Sequence, residues 1–288
     1  MLSRARQRGL SMVELLVALA ISSFLVLGIT QLYLAAKRND LFRQSQAANL
    51  ENSRFTVLLL NELISKAGYR RSPEQSLHLA FPETSTALAG HCDSFAAGAV
   101  VTKLKSAANG ETGFCIRYQP AFADEYSCDG SKVSLSNSAA MVPPTLNETI
   151  YVAIKFIPHR TDLSQGSLNC TSDTSGTVQL MRGIADMRIE FGLGLAINAA
   201  EQQADRKLRD NQPFVAADVW NKQGIVRAVR YSVLLASAAN QRDSSESKVY
   251  DDWLARADSS ATARLEATDQ RRIYQRVSSL QTLRNMLP

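Results

Sequence analysis

Residues 9–36, Gly9-Leu-Ser-Met-Val-Glu14-Leu-Leu-Val-Ala-Leu-Ala-Ile-Ser-Ser-Phe-Leu-Val-Leu-Gly-Ile-Thr-Gln-Leu-Tyr-Leu-Ala-Ala36, decide how this 288-residue chain is built. A short basic head, Arg4, Arg6 and Arg8, precedes Gly9, and the apolar run behind it carries one ionisable residue, Glu14. From Leu15 to Ala36 there is no charge. As a helix rising about 1.5 Å per residue that run is roughly 33 Å long, enough to cross a hydrocarbon core of about 30 Å.

A cleaved secretory signal has an apolar core of about 7 to 15 residues closed by a small-x-small site. This run is longer, and it continues into an expected helix through residues 33–68, so the apolar part is expected to be retained. A plain anchor would not need Glu14, since a charged carboxylate at a bilayer centre costs about 2.5 to 3.5 kcal/mol. Ionisable groups inside membranes are functional by default. Cleavage after Gly9 would create an α-amine of reference pKa about 7.7 to 8.0, largely cationic at neutral pH. That amine and the Glu14 carboxylate, one helical turn apart, could pair within a chain or between staggered chains. Pairing would offset the cost of two lone charges and set register.

The pattern Gly9, Leu10, Ser11, Met12, Val13, Glu14 followed by an apolar run resembles the class III leader junction of type IV pilins and type II secretion pseudopilins. The resemblance implies a prepilin peptidase cut between Gly9 and Leu10, N-methylation of Leu10 and an assembly role for Glu14. Many family members have Phe where this chain has Leu10. Residues 51–71 are further similar to the PilW family of minor pilins, in the E-x-x-R-F segment Glu51 to Phe55 and the helix end Ala67-Gly68-Tyr69. Members often have Gly-Cys just beyond that point, where this chain has Arg71 and Ser72. Residues 181–191, 220–235 and 273–288 resemble the family's R-G-I-x-D-M strand, its W-x-x-V-x-A-V-R strand and its V-x-L-R-N ending.

Beyond Ala36, Leu41, Ala48 and Phe55 recur at heptad spacing. Phe55, Leu58, Leu59 and Leu63 lie on one side of a helix, widened by Val57, Leu60 and Ile64. This half is expected to enter a groove of a globular domain from about Arg54, with residues 37–52 more exposed. Gly68 reads as a C-cap and Pro73 limits continuation. Strands are expected at 99–104, 113–118, 149–157, 184–191 and around 229–235. In the fourth, Met187, Ile189 and Phe191 alternate with Asp186, Arg188 and Glu190, which predicts one packed face and one wet one. The expected fold is therefore α+β and pilin-like, a long N-terminal helix on an antiparallel sheet. It divides into a leader (1–9), a transmembrane half-helix (10–36), an amphipathic half-helix (37–68) and a periplasmic β-rich domain (69–288). Residues 199–213 and 238–272 read as polar surface excursions, the second with a short helix around 252–267.

The formal charge of +5 loses three arginines with the leader, leaving about +2, so no nucleic-acid contact is expected. The positive-inside rule keeps the leader cytoplasmic and sends the domain to the periplasm. There an even set of cysteines, Cys92, Cys115, Cys128 and Cys170, favours disulfides, with three pairings open. Sequence neighbours close the smaller loops, which favours Cys92 with Cys115 and Cys128 with Cys170. No metal or cofactor is expected: His91 adjoins Cys92, but there is no C-x-x-C, and His78 and His159 stand alone. Nor does the chain contain a G-x-S-x-G elbow, an H-E-x-x-H helix or a phosphate loop, so catalysis is not expected; Asp186, Glu190, Asp251 and Asp252 read as solvated acids.

The resemblance implies a minor pilin that joins other minor pilins in a priming complex at the pilus tip. Its implied partners are those pilins, the major pilin, the peptidase and the inner-membrane assembly platform. A tip-proximal type II pseudopilin and a membrane-anchored periplasmic enzyme or binding domain are the alternative readings. Gly9→Val is expected to block processing, so intact-mass analysis of membrane-extracted protein should find a Leu10 N-terminus in the wild type and the full leader in the variant.

Overall fold

The computed structural model describes residues 11–85, 88, 90–108, 110–137, 139, 141–173, 176–194, 214–240, 242 and 246–286. Gly9 and Leu10, and the whole of the first polar excursion (199–213), lie outside them. Helix α1 runs unbroken from Met12 to Lys66, about 82 Å at the standard rise. Its interior has no proline, and its hydroxyls do not compete with the backbone ladder. Ser22, Ser23 and Thr30 donate back to the carbonyls of Ala18, Ala20 and Val26 at 2.7, 2.8 and 2.7 Å, so these three hydroxyls keep their hydrogen bonds on a surface long and apolar enough to meet lipid.

The helix stops where the chain turns extended at Ala67 and left-handed at Gly68, φ +73°. A side chain at Gly68 would also press on Val100, 3.1 Å from a built Cβ. Asn285, from the far end of the sequence, caps the stop by donating to the carbonyls of Ser65 and Ala67 at 2.8 and 3.1 Å. These are among the terminal acceptors that a helix cannot satisfy by itself.

Two antiparallel sheets follow instead of the single sheet expected. In the first, β1 (Val101–Lys103), β2 (Thr112–Tyr118), β3 (Ile150–Ile157), β4 (Ser167–Ser172) and β5 (Gly176–Arg182) lie in sequential order. The second has the order β7-β6-β8-β9, from β6 (Ile184–Gly194), β7 (Phe214–Ala216), β8 (Ile225–Asn240) and β9 (Arg272–Thr282). Gly183, φ +90°, is the single residue between β5 and β6 at which the chain leaves one sheet for the other.

Helix α1 packs mainly on β8 and β9. Leu60, Leu63 and Ile64 share one core with Phe114, Val152, Ile154, Met187, Ile189, Phe191, Tyr231 and Val233. The face that packs is only part of the expected one: Leu60, Leu63 and Ile64 are buried, whereas Phe55 and Leu58 are 47% and 70% exposed. The buried line is completed by small polar residues, Asn49, Ser53 and Thr56. Ser53 and Thr56 return their hydroxyl hydrogens to the carbonyls of Asn49 and Asn52, and Asn49 donates to the Ile273 carbonyl at 3.0 Å. They can therefore be buried at little cost, and contact begins at Asn49, earlier than Arg54.

The expectation of a packed face and a wet face fails on both sheets, because each is also partly covered on its second side. Over the four-stranded sheet, Leu163, Leu234, Tyr250, Trp253, Leu265 and Tyr274 form a separate cluster. Over the five-stranded sheet, Cys92, Phe95, Leu104, Cys115 and Ala153 form another. The helix expected at 252–267 is two helices, α3 (Lys248–Leu254) and α4 (Ser259–Thr268); α2 is the short Leu77–Ala80. The break falls where Asp258 caps α4, accepting from the amides of Ser260 and Ala261 at 2.9 Å each.

Disulfides join Cys92 to Cys115 and Cys128 to Cys170, closing loops of 23 and 42 residues. In the chain-entropy account each is worth about 3 to 4 kcal/mol. Arg117 fixes the loop under β1 and β2. Fully buried and lying over the rings of Phe81 and Phe95, it donates to the carbonyls of Phe81, Pro82, Ala96 and Ala99. Burial without a carboxylate pulls its guanidinium down to about 10.

A chain starting at Asn39 is expected to fold without lipid. In it Leu60→Ala should lower stability by about 2 to 5 kcal/mol in urea unfolding. Leu58→Ala should change it by under about 0.5 kcal/mol.

Candidate functional site

Two regions stand out from the fold. The first is the uncovered half of α1. Residues 11–40 are exposed along their whole length, and this segment is long and apolar enough to cross a membrane, with none of its apolar window buried against the rest of the chain. Glu14 sits in its first turn, exposed, and makes no hydrogen bond or ion pair among the described residues. Leu10, the residue whose amine would face it, lies outside those residues, as does Gly9. What can be placed is the spacing: Glu14 is four residues on from Leu10, one helical turn.

The second region is the outer face of the four-stranded sheet, which the sequence pattern marked as simply wet. Asp186 is buried there. Its carboxylate accepts from Trp253 Nε1 at 2.8 Å and from Arg264 Nη2 at 2.6 Å. Arg264 also donates to the Ala185 carbonyl at 2.9 Å. Burial pushes the Asp186 carboxyl up, against the pull of Arg264 and of the Trp253 hydrogen bond. The group thus pins both α3 and α4 onto β6. Arg188 lies over the Trp253 ring at 4.1 Å and donates to the Trp253 carbonyl at 2.7 Å. Desolvation lowers the Arg188 guanidinium, and Asp186 opposes that shift.

Glu190 is half-buried and held by both arms of Arg230 at 2.6 Å each, while Arg230 lies over Phe214 at 4.1 Å. Asp251 and Asp252 are exposed. Between this sheet face, α3, the start of α4 and the residues Ala107, Gly110, Glu111 and Thr112 runs an open groove of about 840 Å³.

Sequence reasoning missed the buried Asp186, although the signal was present. The segment read as a polar excursion holds Tyr250, Trp253, Leu254 and Leu265, an apolar stripe at helical spacing that needs a surface to cover. The motif stretches noted in the sequence prove to be structural contacts. Trp220 meets Phe191 edge-on at 5.2 Å, Asn285 caps α1, and Arg227 donates to the Met286 carbonyl at 2.9 Å. No group of three metal-ligating side chains occurs among the described residues. Cys92 is oxidised, so its neighbour His91 gains no thiolate partner from it. His159 Nδ1 instead accepts from the amides of Thr161 and Asp162.

Comparison with known proteins gives two family matches. The family described as Type IV Pilus-assembly protein W matches residues 156–285, and the prokaryotic N-terminal methylation motif matches residues 4–30. Among solved structures, a type IV-like pilin from Thermus thermophilus aligns over 84% of this chain and 97% of its own, at 11% identity and a TM-score of 0.39. No curated protein matches the sequence. The matches at its two ends make the chain similar to type IV pilins and, over residues 156–285, to the PilW family. It is a pilus-related minor pilin, anchored by its N-terminal helix, whose family interacts with other pilus components.

Asp186→Ala should leave Trp253 Nε1 and Arg264 buried without their acceptor, at a cost of about 3 to 5 kcal/mol. A lowered urea midpoint, with hydrogen exchange accelerated in 248–268 before the rest of the sheet, is the expected result.

Proposed function

We propose that the protein is a minor pilin that primes pilus assembly and remains near the pilus tip. It is made with a leader cut between Gly9 and Leu10, methylated on Leu10, and held in the inner membrane by residues 10–36 with its domain in the periplasm. The observation that carries this reading is the lone Glu14 in an apolar helix that the rest of the chain leaves uncovered. A carboxylate in that position is costly by itself and becomes favourable beside a cation. The methylated amine of a neighbouring subunit, offset along the axis, is such a cation.

The prepilin peptidase, the assembly platform, the major pilin and other minor pilins are its partners in this scheme. A periplasmic place for the domain accords with two disulfides, which persist in oxidising compartments. The domain is also large for a subunit that must repeat thousands of times along a filament, which favours few copies. Its work is structural: its own chemistry is that of a substrate for peptidase and methylase.

Glu14→Val should spare cleavage and spoil assembly. Cells carrying only this variant should retain processed protein in the inner membrane and shed few pili, and Glu14→Gln should behave alike. Normal amounts of sheared pili with both variants would refute the assembly contact. Normal pili together with a loss of protein export would instead favour a type II secretion pseudopilin.

A further inference from the structure

The uncovered half of α1 ends in charges that the fold does not use. Behind the uncharged residues 15–36 come Lys37, Arg38, Asp40 and Arg43, three cations against one acid. Asp40 accepts from Gln44 Nε2 at 3.1 Å, one turn further along the same helix. Lys37, Arg38 and Arg43 are exposed and make no hydrogen bond or ion pair among the described residues.

The apolar run fixes the level at which these groups lie. Counted from Leu15 at one boundary of the hydrocarbon, Ala36 reaches the other after about 33 Å, so Lys37 and Arg38 enter the polar layer that widens a bilayer from about 30 Å to about 40–45 Å. Tyr33 lies one turn below Lys37 on the same stripe and is 66% exposed, the place at which an amphipathic ring favours the boundary. The folded domain leaves this level open. Asn49, the first buried residue of α1, stands about 18 Å beyond Lys37 along the axis. Between the two, Leu41 and Ser45 are half-buried and the other side chains are exposed.

The two ends of the run differ in charge. Processing after Gly9 would remove Arg4, Arg6 and Arg8 and leave one amine and one carboxylate, Glu14, at the first end. The second end keeps a net +2 over residues 37–43, three cations less one acid. We infer that Lys37 and Arg38, above Tyr33, form a binding site for the phosphates of anionic phospholipids in the leaflet on the domain's side. The inference rests on the reading of residues 10–36 as a membrane span and adds the lipid to it. The Arg38 guanidinium offers a fork to two phosphate oxygens, and the Lys37 ammonium a mobile point charge. Each cation at such a surface favours anionic lipid about fivefold, within a Debye length of about 10 Å at 0.1 M salt. Arg43 is offset by Asp40, three residues before it. Arg54 is exposed too, but at about 24 Å beyond Arg38 it is out of range.

The test uses the full chain extracted from membranes into micelles that hold equimolar phosphatidylglycerol and phosphatidylcholine. Retained lipids are counted by native mass spectrometry in about 50 mM and about 500 mM ammonium acetate. At low salt the wild type should prefer phosphatidylglycerol about twentyfold, Lys37→Gln and Arg38→Gln should each reduce that preference about fivefold, and the double variant should show none. High salt should remove most of it. Both side chains are exposed and bond to nothing in the fold, so urea midpoints should not move. Arg54→Gln, the positional control, should keep the wild-type preference. Equal retention of the two lipids by the wild type overturns the inference and leaves the membrane span standing. So does an unchanged preference in the double variant, or a loss with Arg54→Gln as large as with Lys37→Gln. A chain that stays monodisperse without detergent and retains neither lipid overturns the span and the inference together.

Discussion

Between Asn49 and Ala67 one continuous helix passes from an uncovered apolar shaft into a folded domain, and the rest of the domain is arranged around that passage. The shaft must satisfy every backbone group within itself, because lipid offers no hydrogen bonds. The lower half must present side chains that a sheet can pack against. Both demands are met without a break, since α1 has no proline and its small hydroxyl residues bond back to their own ladder. The remaining difficulty is the far end, where unsatisfied carbonyls meet the protein interior. Asn285 and the left-handed Gly68 resolve it, tying the last turn of the first element to the last turn of the chain.

This closure explains why the two ends of the sequence carry the most recognisable patterns. The N-terminal run matches the prokaryotic methylation motif over residues 4–30 and is long and apolar enough to cross a membrane. The C-terminal segment has to reach back to α1 through β9, Leu283 and Met286, which lie in the same core as Leu60 and Ile64. The strands between are then held on both faces, by α1 on one side of the four-stranded sheet and by the α3 and α4 excursion on the other. Asp186 is the pivot of that second covering. A single carboxylate serves two helices because it lies buried at the edge of the groove, where Trp253 and Arg264 both point to it.

The same covering creates the groove. Without α3 and α4 the outer face of β6, β8 and β9 would be an ordinary solvated sheet with alternating charges. With them it gains walls, and Arg188 lies over the ring of Trp253 from α3. A device that stabilises the domain thus also gives it a structured polar surface, on the opposite side of the sheet from the helix.

What the sequence by itself determined is whatever depends on local pattern: the apolar run and its single carboxylate, the stop at Gly68, and the period-2 alternation of Ile150, Val152, Ile154 and Phe156, all of which are buried. Length, charge and period are properties of short stretches, and they survive folding unchanged. Which side of α1 packs was not of this kind. Apolar residues lie nearly all round that helix, and the sheets chose Leu60, Leu63 and Ile64 with Asn49, Ser53 and Thr56 over Phe55 and Leu58. The division into two sheets, the burial of Asp186 and the groove were decided only in three dimensions. Each depends on partners far apart in sequence, as Asp186 with Trp253 and Asn285 with Ser65, and alternation along one strand cannot say what will cover its polar side.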